Sequence, residues 1–135
     1  MITYTNQINT IIDKVINILG DEISVPIRRD QHRGNHSIVV SPVEDNLVEL
    51  LANGQTREYS MIISYELNIK TLNKNTFKQI SNMAEHMKRL FSMDNNANVT
   101  DYWFGGNISN VVYEQNEEGK MNASLTFNCM ALEAN

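Results

Sequence analysis

The run Arg57-Glu58-Tyr59-Ser60-Met61-Ile62-Ile63-Ser64-Tyr65-Glu66-Leu67-Asn68-Ile69-Lys70 decides how the rest of this chain is read. Tyr59, Met61, Ile63, Tyr65, Leu67 and Ile69 fall on alternate positions. Ser60, Ser64, Glu66 and Asn68 lie between them, with Ile62 the exception. Side chains alternate across a strand, so the pattern predicts a β-strand over residues 57–70 with one apolar and one polar face. Its length predicts a strand that extends beyond the body of the domain.

On either side of this strand the period changes from two to 3.6. Ile8, Ile11, Ile12, Val15 and Leu19 share one helical face, which Ile16 and Ile18 widen. This predicts a helix over residues 5–19, with Gly20 as the left-handed residue that ends it. Downstream, Phe77, Ile80, Met83, Ala84, Met87, Leu90 and Phe91 form a second apolar face. Thr76 and Gln79 match a capping box, and Lys88 and Arg89 sit in the last turn, where cations suit the helix dipole. The spacing predicts a helix over residues 76–91.

Between the first helix and the long strand, residues 28–36 are polar and read as an exposed loop. A short strand is expected at residues 37–40, stopped by Pro42. Residues 43–52 fit either a turn and a half of helix or a strand. An extended arm ending in an Asn53-Gly54 hairpin turn is the favoured reading. After the second helix, residues 93–100 form a polar connection leading to Tyr102-Trp103-Phe104-Gly105-Gly106. A hairpin closes the chain, with strands over 107–115 and 120–132 and a turn at Asn116-Glu117-Glu118-Gly119. The order helix, strands, helix, hairpin predicts one α+β domain over residues 1–135. It has an antiparallel or mixed sheet, two helices packed on one face and a C-terminal β-hairpin.

Composition narrows the function. The 135 residues include 11 basic and 16 acidic side chains, for a net charge of −5. Non-specific binding to nucleic acid needs a surplus of Lys and Arg, so DNA is expected only as passing cargo. The lone cysteine, Cys129, rules out an intrachain disulfide and reads as a small core residue. No stretch is apolar enough to span a membrane, and residues 1–7 carry no positive region of a secretory signal. Synthesis and folding in a cytoplasm are expected. Asparagine occurs 19 times, supplying many turn and cap positions.

Few residues suggest chemistry. His32 and His36 are four apart, a spacing that suits a shared metal on a helix, but Gly34 and the absence of an apolar face argue against a helix there. The solvated-loop reading is favoured. His86 reads as a boundary or surface residue. The pairs Glu44/Asp45 and Glu117/Glu118 fall in expected turns, where water keeps carboxyl pKa values ordinary. Gly105-Gly106 lacks the surroundings of a phosphate loop. No enzyme, cofactor or metal is expected.

The remaining features suit binding to protein. Arg28, Arg29 and Arg33 cluster in the loop and can pair with acidic groups of a neighbouring copy. Trp103 and Phe104 either plug the open end of the core or anchor an interface. The long strand can add to a neighbour's sheet, and Arg57 at its start joins the candidate interface residues.

The order of elements resembles that of the tail terminator (tail completion) proteins of long-tailed bacteriophages. The resemblance rests on the helix at Ile8 to Leu19 and the strand Ser37-Ile38-Val39-Val40-Ser41-Pro42. It continues with the turn and strand Thr56-Arg57-Glu58-Tyr59-Ser60-Met61-Ile62-Ile63-Ser64-Tyr65, the second helix and the closing hairpin. It is one of pattern rather than of a diagnostic motif. It implies a homo-oligomeric, hexameric ring at the head-proximal end of the tail. Such a ring binds tail tube protein, stops its polymerisation and presents a surface to the head connector. Another neck protein of the same fold, and a small α+β ligand- or peptide-binding module, are the competing expectations.

Overall fold

The computed structural model describes residues 1–68, 74–92, 97–115 and 119–134. Helix α1 spans Gln7–Glu22. Strands β1 (Ile27–Arg28), β2 (His36–Leu51) and β3 (Gly54–Asn68) follow, then helix α2 (Lys74–Ser92) and strands β4 (Phe104–Gln115) and β5 (Lys120–Ala134). One five-stranded sheet has the order β1-β2-β3-β5-β4. β1 runs parallel to β2 and every other pair is antiparallel. This is the expected α+β fold, with a mixed sheet and a β4–β5 hairpin.

The period-two pattern of β3 is realised. Tyr59, Met61, Ile63, Tyr65 and Leu67 are buried, and so are their β5 partners Cys129, Phe127, Leu125, Ala123 and Met121. With Ile11, Val15 and Leu19 of α1 and Ile80, Met87 and Phe91 of α2 they form one core. α1 lies across β1 and β2, and α2 across β3, β4 and β5. The opposite face of the sheet carries Ser60, Ser64, Glu66, Asn122, Ser124, Thr126 and Asn128, and among the described residues no helix lies over it. We call it the open face.

Several boundaries differ from the sequence reading. Gly20 lies inside α1, which continues to Glu22, where the Ile23 N–H donates to the Leu19 carbonyl. Asn6 caps its start, accepting from the Asn9 N–H. Thr76 lies within the first turn of α2 rather than at its cap, and Gln79 donates to the Tyr65 hydroxyl instead of closing a capping box. Pro42 does not end its strand, because β2 sits at the margin of the sheet and shifts register between Pro42 and Glu44. An edge or a bulge tolerates the missing N–H. β2 therefore runs on through residues 43–51, the arm expected as one of two readings.

The hairpin turn is Ala52-Asn53, one residue earlier than expected, since Leu51 pairs with Gly54. Gly54 is needed for close approach: a Cβ there would run into the Glu133 carbonyl oxygen of β5. The expected strand residues Ile69 and Lys70, the turn residues Asn116, Glu117 and Glu118, and residues 93–96 of the polar connection lie outside the described residues.

Leu125 is fully buried at the centre of β5. Leu125→Ala should lower the unfolding free energy by about 2–5 kcal/mol in a denaturant titration. A loss below about 1 kcal/mol would contradict its place in the core.

Candidate functional site

The long β2 is buried only where the body covers it. Ser37 to Val40 are buried, whereas every residue from Pro42 to Leu51 is exposed. This distal half pairs with residues 54–61 of β3, which pair in turn with residues 127–134 of β5. The result is a three-stranded arm. Its surface carries exposed Val43, Leu47, Val48, Leu50, Leu51 and Leu132. Leu50 is 73% exposed, unusual for a leucine in a regular strand.

Register assigns these side chains to faces. Glu49, Thr56 and Leu132 form one cross-strand row, and Leu51, Gly54 and Ala134 the next. Thr56 has the parity of Ser60 and Ser64, so Glu49, Leu51 and Leu132 belong to the open face of the arm. Leu50 and Leu47 lie on the other face, beside Arg57. Arg57 donates to Asp45 at 2.5 Å and to Gln55 at 2.9 Å. The hydrogen bond it donates to Asp45 raises the guanidinium pKa further. Tyr59 donates to Glu133 in the same cluster. Arg57 is thus one of the candidate residues, and it serves first to brace the base of the arm.

The loop after β1 crosses the sheet margin. Arg28, level with Val39, turns to the open face, and its Nε is buried without a hydrogen-bond partner among the described residues. Arg29 turns the other way and donates to Asn9 and Asp13 of α1. Arg33 is exposed and pairs with Asp30 at 2.9 Å. Two of the three loop arginines are therefore engaged within their own chain. Asp30 is held below the usual carboxylate range, chiefly by the Gln31 backbone N–H.

His32 does not sit in a solvated loop. Its side chain is folded onto the open face, with Nδ1 2.7 Å from Ser37 Oγ and Nε2 3.0 Å from Ser64 Oγ. Ser64 donates to Asn122 Oδ1, so it accepts from Nε2–H. Ser37 accepts the Arg33 N–H and donates to Nδ1. The network fits a neutral ring. Glu66 lies 3.8 Å from Nε2, the nitrogen that also faces Ser64. Ser37 and Glu66 take opposite ring nitrogens, but Ser37 is only 1% exposed and Glu66 at 3.8 Å is beyond hydrogen-bond reach, so the three do not form the accessible, hydrogen-bonded triad of acyl transfer. His36 begins β2 and packs edge-on near Tyr65, on the face of the sheet opposite to the one that His32 joins. Among the described residues no group of three His, Cys, Asp or Glu side chains is placed to hold a metal ion.

Trp103 and Phe104 separate. Trp103 is buried, donates from Nε1 to the Ala97 carbonyl at 2.8 Å and packs edge-on against Phe127. It closes the end of the core. Gly106 permits this, because a Cβ there would meet Ala97 O and Trp103 Nε1 at 3.0 Å. Phe104 stays 44% exposed. Burial, helped by Glu58, pushes the Cys129 thiol up to about 12, so it stays protonated within the core. His86 is exposed and meets Glu22 at 3.0 Å, linking α2 to the end of α1.

One feature gave no sequence signal. Phe77, expected in the core, is exposed and borders a groove of about 590 Å³ between α2 and β4. Phe77, Ile80, Tyr113 and Met121 supply its apolar walls, and Lys78 and Ser81 its rim. Among the described residues no helix is long and apolar enough to cross a membrane. No protein-family model and no curated protein matches the chain.

Burial lowers the His32 pKa below its ordinary 6.5, opposed by the nearby Glu66. The folded state then binds fewer protons than the unfolded chain. Its contribution to stability is complete above about pH 6.5 and is lost as pH falls through the lowered folded value. His32→Gln should therefore flatten the fall in Tm between about pH 7 and about pH 5. Equal slopes for parent and variant would refute the half-buried neutral ring.

Proposed function

We propose that this chain is a structural virion protein: a ring subunit at the head-proximal end of a phage tail that caps tail-tube polymerisation and joins the tail to the head connector. The observation that carries this reading is the exposed distal half of β2, with Leu132 beside it on the arm. A monomer gains nothing from six exposed apolar side chains, five on β2 and one on β5, on an arm that outruns its own core, whereas an assembly buries them.

The sheet margins support the same reading. Beyond Ile38 and Val39, the outer side of β2 has no partner strand among the described residues, and neither has the outer side of β4. Long open margins invite pairing with another chain. Phe104 and Arg33 add exposed groups suited to protein contact. The place in a phage tail rests on the resemblance in element order. Partners on this reading are copies of itself, tail tube protein and a neck or connector protein, with DNA only as passing cargo.

A peptide-binding module is the second reading, favoured by the apolar groove between α2 and β4. Sedimentation of the purified protein, followed by negative-stain microscopy with tail tubes, separates the two. Rings seated on one end of the tubes are expected. A protein that stays monomeric at all concentrations and leaves the tubes bare would contradict the proposal.

A further inference from the structure

The arm and the groove lie at opposite ends of one strand. Leu132 belongs to the arm and Met121 lines the groove, and both are on β5. Eleven residues of extended chain separate them by roughly 36 Å. No copy can seat its own arm in its own groove. The two surfaces match in chemistry. The open face of the arm presents exposed Leu51 and Leu132 beside Glu49. The groove presents exposed Phe77 and Tyr113 beside Lys78. Neither Glu49 nor Lys78 has an ion-pair partner among the described residues.

We infer that the arm of one copy docks in the α2–β4 groove of the next, with Leu51 and Leu132 against Phe77 and Tyr113 and with Glu49 facing Lys78. The inference rests on the ring reading and specifies its contact. The interface is heterologous, because each copy offers an arm at one end and a groove at the other. Such a contact closes into a ring when its rotation permits and otherwise grows as a filament. The buried leucines supply the favourable area, and the charge pair fixes orientation and excludes acidic competitors.

The mixing of two variants tests it. Leu132→Asp removes the arm's apolar contact and keeps the groove. Phe77→Asp does the reverse. Both side chains are exposed, and circular dichroism checks that the variants fold. By sedimentation each variant alone should be monomeric, and an equimolar mixture should form a dimer that grows no further. As a second pair, Glu49→Lys and Lys78→Glu should each raise the concentration needed for assembly by about fivefold to tenfold, and their combination in one chain should restore it.

Assembly of both apolar variants like the parent would overturn this contact and leave the ring reading standing. A Phe77→Asp protein that still forms rings but no longer binds tail tubes would assign the groove to tube protein and overturn self-docking. A parent that never assembles would remove the ring reading and this inference together.

Discussion

The pairing of β3 with β5 is the constraint on which the rest of the molecule depends. It runs from Gly54 opposite Ala134 to Asn68 opposite Lys120 without a register shift. From Tyr59 to Leu67 one face is apolar, and the other is polar apart from Ile62. A slip of one residue would turn Tyr59, Met61, Ile63 and Tyr65 out to water and bring Ser60, Ser64 and Glu66 under the helices. The core therefore fixes the register, and the register fixes the position of everything attached to the strands. The helices cover only part of this ladder. What is left over becomes the arm.

The same ladder explains the open face. It carries short polar side chains that satisfy one another across strands: Ser60 donates to Asn128 at 2.7 Å, Asn128 donates to Ser109 at 2.7 Å, and Ser124 donates to Asn122 at 2.9 Å. His32 joins this layer from the loop that wraps the β1 side, while Arg29 of the same loop grips α1 on the other face. The loop thus ties the two faces of the sheet together at its weakest margin. Its two-residue strand β1 could not do this alone.

Much of the fold was legible because local period and tertiary burial agree. The alternation in β3, the apolar faces of α1 and α2, and the closing hairpin all reach the structure with small changes in boundary. The errors arise where tertiary context overrides a local signal. Gly20 costs little helix stability at an exposed site and does not stop α1. Pro42 is tolerated because β2 lies near the margin and bulges there. Phe77 follows the helical period of its neighbours, yet it borders the open groove between α2 and β4 instead of joining the packed core. His32 reads as loop from sequence because its partners Ser37 and Ser64 are distant or unmarked in the chain. The arm was half legible: residues 43–51 fit two conformations, and only pairing with β3 decides between them. The groove had no signal at all, since its walls come from three separated segments.

The domain leaves leucines exposed on an arm at one end and aromatic side chains around a groove at the other, and the proposed reading assigns both to contact with further chains. The most direct measurement is amide hydrogen exchange in residues 43–51 and 77–81, followed as protein concentration rises. The account predicts that exchange slows in both segments together, at the concentration where assembly begins, with the rest of the sheet unchanged. Exchange in both segments that stays the same across assembly would contradict it.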